Sequence, residues 1–129
     1  MTYDQWIELG RRAVACKHWR WVPGMLAHKP GGIWEWRRHS VAKWSDALGV
    51  RDDIPADAVP DLGDPATLGC LLALVREAWG KPLLYVEPEE DEIDGLAWYV
   101  WNVDEGKSYS RGLHRSEAAA LVAALEAAP

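Results

Sequence analysis

Phenylalanine is absent from this 129-residue chain, and cysteine and methionine occur only twice each. With Cys16 and Cys70 as the only thiols, no disulfide framework is evident, so a packed core must hold the fold. A chain of this length buries roughly two-thirds of the surface its unfolded form exposes, which is enough for one core. No run approaches the roughly 18 apolar residues that would span a membrane. The opening Met1-Thr2-Tyr3-Asp4-Gln5 has neither the basic start nor the apolar run of a secretory signal. The expected location is the cytoplasm, with both thiols reduced and no membrane association.

Tryptophan is abundant instead. Nine occur, six of them (Trp6, Trp19, Trp21, Trp34, Trp36, Trp44) within the first 44 residues. Trp brings a large apolar area and an N–H that wants an acceptor, so many should sit at the edge of the core and some should face a partner. The net charge of −6 is unevenly divided. Residues 1–50 hold eight Lys/Arg and four Asp/Glu (+4), whereas residues 51–129 hold six and sixteen (−10). Such a division marks either a charged partner at one end or two halves that attract each other.

Thr2-Tyr3-Asp4-Gln5 fits a capping box, and Trp6, Leu9, Ala13 and Cys16 follow at helical spacing beside Ile7 and Val14, predicting a helix over 3–16. Pro23-Gly24 and Lys29-Pro30-Gly31-Gly32 are turn signals, and 25–28 with 33–38 read as a hairpin. Ser40 is expected to cap a short helix using Val41, Trp44 and Leu48. Residues 49–63, with two Pro and few apolar side chains, read as a surface connection. Asp64 is an N-cap with Pro65 at the first helical position; Leu68, Leu71, Leu72, Val75 and Trp79 form the stripe, and Gly80 and Pro82 end the helix. Gly69 inside it costs up to about 1 kcal/mol against Ala, which a close approach by a strand or another helix would offset. Strands are expected at 83–87, 96–103 and 108–113, with Glu89–Asp94 a solvated loop. The strand at 96–103 has apolar side chains on both faces, which implies cover on both sides. Ser116 caps a last helix with the stripe Ala118, Leu121, Val122 and Leu125. The fold expected is a single α+β domain over 1–129. Its antiparallel sheet combines a C-terminal three-stranded meander with an N-terminal hairpin, packed with about three helices.

Pro60-Asp61-Leu62-Gly63-Asp64-Pro65-Ala66-Thr67-Leu68-Gly69-Cys70-Leu71-Leu72, continuing to Gly80, resembles the phage ABA-sandwich domains of small bacteriophage and prophage proteins. The closing Ser116–Ala127 segment supports the likeness, and Arg12–Leu26 resembles the start of the same uncharacterised proteins; residues 28–59 match least. The resemblance carries no activity. It implies an accessory phage gene product in the host cytoplasm.

Chemistry has few footholds. Cys16, His18, His28 and His39 lie within one stretch but lack the paired spacing of a zinc site, so no metal or cofactor is expected. Cys70 with His114, or Ser108 or Ser110 as nucleophile, has no activating motif around it, and no phosphate-binding glycine pattern occurs. No enzymatic activity is therefore expected. The carboxylates from Glu87 to Asp94 lack calcium-loop order and, if they act, would meet a basic surface on a host protein. The most suggestive stretch is 17–44, where Lys17, Arg20, Lys29, Arg37, Arg38 and Lys43 stand against Glu35 alone, among five tryptophans and three histidines. Aromatic faces beside cations suit a nucleotide or a protein surface; equally, the tryptophans fill a core without Phe and the cations solubilise it. The candidate binding residues are Trp19, Trp21, Trp34, Trp36, Arg37, Arg38 and Lys43. The leading expectation is a non-catalytic, phage-encoded accessory protein that binds a host or anti-phage defence protein. The alternative is a protein that binds and sequesters a nucleotide signal, as a homo-oligomer with Trp and Arg at its interface.

Overall fold

Local sequence signals set the helix ends. In a computed structural model that describes residues 1–30, 36–39, 44–46, 49–51, 54, 56–91 and 95–129, helix α1 spans Tyr3–Ala15. Its capping box is closed in both directions: the Thr2 N–H donates to Gln5 Oε1 at 2.8 Å, and the Gln5 N–H donates to Thr2 Oγ1 at 3.2 Å. Ile7, Leu9, Gly10 and Ala13 are buried, while Glu8, Arg11 and Arg12 face solvent.

The chain is α+β, with antiparallel pairing among the described strands and two compact units. The first comprises Met1–Val14 and Arg20–Cys70. Its strands are β1 (Leu26–His28), β2 (Trp36–His39), β3 (Trp44–Asp46), β4 (Gly49–Arg51) and β5 (Val59–Pro60), in the order β4-β3-β2-β1-β5. The hairpin read from the sequence is β1 and β2, paired Leu26 to Arg38, Ala27 to Arg37 and His28 to Trp36. Two expectations are corrected. The helix after Ser40 is replaced, at the described positions 44–46, by β3, which pairs with both β2 and β4. The surface connection at 49–63 instead supplies β4 and β5, and Ala58, Val59 and Leu62 are core residues. Ala58-Val59-Pro60 is too short to show a period, and its pairing with Ala27 and His28 makes it a strand. Pro60 has no N–H to donate, which an edge strand tolerates.

Helix α2 (Pro65–Trp79) begins where Asp64 Oδ2 accepts from the Thr67 N–H at 3.0 Å and from its hydroxyl at 2.8 Å. The fully buried Thr67 Oγ1 in turn accepts the Leu26 N–H at 2.8 Å, tying the cap to β1. At the other end Gly80 adopts φ +63°, the Gly80 N–H reaches Glu77 O and the Lys81 N–H reaches Arg76 O, a Schellman ending that only glycine enters without strain. The buried stripe is Thr67, Leu71, Leu74 and Val75, so Leu68 and Leu72 are half-buried flanks rather than its centre. Among the described residues nothing approaches within 4 Å of the position a Gly69 Cβ would occupy, so no close packing there offsets the glycine's cost. Gly69→Ala should therefore raise the unfolding free energy by about 0.5–1 kcal/mol through helix propensity alone, seen as a higher melting temperature.

The second unit comprises Ala15–Trp19 and Leu71–Pro129. A meander runs through β6 (Tyr85–Asp91), β7 (Gly95–Asn102) and β8 (Lys107–Ser108), and helix α3 (Glu117–Ala127) packs on β6 and β7. The acidic stretch is only in part a loop. Glu89, Glu90 and Asp91 belong to β6 and pair with Ala97, Leu96 and Gly95, while 92–94 lie outside the described residues. Carboxylates on an edge strand discourage pairing with another chain. The third strand is shorter than expected. It is two residues long, followed by an isolated bridge between Trp98 and His114. Ser116 caps α3 by accepting the Ala119 N–H at 3.1 Å. Around the β7–β8 turn, Glu105 accepts from Lys81 Nζ at 2.6 Å, from the Tyr109 hydroxyl and from Asn102 Nδ2 at 3.5 Å. Tyr109 also meets the Trp79 ring edge-on at 4.7 Å, and Trp79 Nε1 donates to Ala124 O at 2.9 Å. Among the described residues, no helix is long and apolar enough to cross a membrane.

Candidate functional site

The first unit contains a hollow of about 280 Å3. One wall is the first turns of α1, where Tyr3, Trp6 and Ile7 fall at i, i+3 and i+4 and so share a face. The other wall is His28 at the end of β1, Val59 and Pro60 of β5, and the turn Asp61-Leu62-Gly63. That turn is fixed by Asp61 itself, whose Oδ1 accepts the Gly63 N–H at 3.0 Å. Tyr3 and His28 join the two walls: the Tyr3 hydroxyl and His28 Nε2 are 2.9 Å apart, and the two rings meet edge-on at 76°.

His28 is 3% exposed. Burial holds its pKa below the ordinary 6.5, and the Asp61 charge opposes this only in part. Above that value the ring is neutral in both folded and unfolded chains and adds no pH dependence. As the pH falls through 6.5 the unfolded chain takes the proton first, so stability declines, levelling off below the folded pKa. His28→Gln should remove this part of the acid loss. Urea midpoints of both proteins at about pH 8 and about pH 5 check it, and an undiminished acid loss in the variant would refute it.

No known protein family, characterised protein or solved structure matches this chain.

The residues singled out from the sequence have several fates. Trp36, Arg37 and Arg38 stand in β2 at the ladder positions opposite His28, Ala27 and Leu26, so Trp36 is registered against a residue of the hollow. Trp21 is half-buried in the first unit and Trp19 half-buried in the second. Trp34 and Lys43 lie outside the described residues. Sequence reasoning missed Tyr3, Trp6 and Asp61 as lining groups. Tyr3 and Trp6 belonged to a helix start, Asp61 to a presumed connection, and no local pattern relates them.

The groups considered for catalysis are engaged in structural bonds. The Cys70 thiol donates to Pro23 O at 3.6 Å. His114 Nε2 lies 2.7 Å from the carbonyls of both Ser110 and Arg111, which requires that nitrogen to carry the proton. Ser110 is fully buried, its hydroxyl accepts the Val100 N–H, and Ser108 Oγ lies 3.3 Å from it. The Cys16 thiol donates to Leu125 O, and His18 Nε2 is paired with Pro129 O. Among the described residues, no three His, Cys, Asp or Glu side chains converge as a metal site would require.

Proposed function

We propose that this chain is a non-catalytic accessory protein, phage-encoded and acting in the host cytoplasm, that binds a host or anti-phage defence protein. The observation that carries this reading is the hollow between α1 and β5. It is walled by aromatic and aliphatic side chains with few polar groups, the make-up of a pocket that receives an anchor residue from a partner. The sequence resemblance supports the phage setting. The nucleotide alternative gains nothing here, because among the described lining residues the formal charge is a carboxylate, Asp61, which repels phosphate.

Affinity capture from host lysate, run side by side with the native chain and with Trp6→Ala, tests the proposal. A stoichiometric host protein recovered by the native chain and lost with the variant supports it. Repeated recovery of nothing stoichiometric, or of the same proteins with both baits, would count against it.

A further inference from the structure

We infer that the hollow between α1 and β5 receives the guanidinium group of an arginine side chain presented by the partner protein. The inference rests on the binding role proposed above and names the chemistry of the group bound. Three observations converge on a planar cation with an apolar stem. Two aromatic side chains, Tyr3 and Trp6, line the hollow, and guanidinium groups stack on aromatic faces. Ile7, Val59 and Leu62 supply apolar surface for a methylene stem. Among the described lining residues the formal charge is Asp61, whose Oδ1 accepts the Gly63 N–H at 3.0 Å and whose carboxylate can pair with a cation.

Charge around the site points the same way. A neighbouring hollow shares Tyr3 and Ile7 and adds Asp4, Glu8 and Arg11, so the described residues around the two hollows carry net negative charge. His28, held neutral by burial, adds no opposing charge near neutral pH. The hollow's volume of about 280 Å3, at the small end for ligand pockets, accommodates a single long side chain. Arginine is also among the residues that most often anchor protein interfaces.

Titrating the isotope-labelled full chain with a capped Gly-Arg-Gly peptide, its citrulline counterpart and agmatine tests this without any partner. The arginine peptide should shift the amides of Tyr3, Ile7, His28 and Gly63, and the citrulline peptide, neutral but nearly isosteric, should bind about tenfold more weakly or not at all. Asp61→Asn keeps an Oδ1 acceptor for Gly63 and removes only the charge, so it should fold normally and lose the preference. Equal binding of the arginine and citrulline peptides, or no shift with either, overturns the inference. Tighter binding of agmatine than of the peptide also overturns it, because the occupant would then be a free cation rather than a chain. Since capture from lysate is scored separately, a host partner that depends on Trp6 but not on Asp61 would leave the binding role standing and remove the arginine.

Discussion

Replacing Leu121 by alanine should lower the unfolding free energy by about 2–5 kcal/mol, the range for truncating a fully buried leucine. Helix α3 is rich in alanine, and Ala118, Ala120, Leu121, Val122, Ala124 and Leu125 are all buried, so nearly its whole circumference is covered. Alanines let α3 lie close to β6 and β7 but contribute little apolar area each. The large side chains therefore carry most of its docking energy, and Leu121 is wholly excluded from solvent. Neighbouring residues in a packed core close such a cavity only partly. Urea unfolding measures the effect as a lower midpoint at unchanged slope. The exposed Lys17→Ala serves as control and should stay within about 0.5 kcal/mol. A loss below about 1 kcal/mol for Leu121→Ala would mean that α3 is not docked as described.

What could be read from the sequence was what depends on near neighbours. The capping box at Thr2 and Gln5, the Asp64 cap, the Schellman ending at Gly80 and the Ser116 cap each involve residues a few positions apart, and each forms as expected. Failures fall where pairing is long-range. Val41, Trp44 and Leu48 have helical spacing, but the backbone at Trp44–Asp46 is claimed by strands on both sides. Glu89–Asp91 looks like a loop by composition and is a strand because Gly95–Ala97 returns beside it. Thr67 was visible only as an ordinary helical residue, and its role as acceptor for the Leu26 N–H needs the fold. The candidate site is an extreme case. Tyr3, His28 and Asp61 come from a helix start, a strand end and a turn, so nothing in local spacing announces them.

Gly10→Leu should cost about 3 kcal/mol, the upper end of what overpacking exacts, and should abolish partner binding as well. Gly10 lies mid-helix in α1, where glycine is ordinarily unfavourable by about 0.5–1 kcal/mol relative to alanine. It is buried, and a Cβ built there would stand 3.0 Å from Val59 Cβ and 3.4 Å from Pro60 Cδ. The helix thus rests directly on β5, and the missing side chain permits the approach. Both neighbours are attached to backbone that is itself held in the ladder by Ala27 and His28, so they yield little. Alanine at this position gains helix propensity and meets one tight contact, and these offset to within about 1 kcal/mol. Leucine has no room at all and must push α1 away from β5. Those two elements are the opposing walls of the hollow, with Tyr3, Trp6 and Ile7 on one side and Val59 and Pro60 on the other. Denaturation of the Gly10→Ala and Gly10→Leu pair, with capture of the host partner by each, checks both consequences. If Gly10→Leu proved as stable as Gly10→Ala, α1 and β5 would not be in contact, and the hollow between them would not be the binding site.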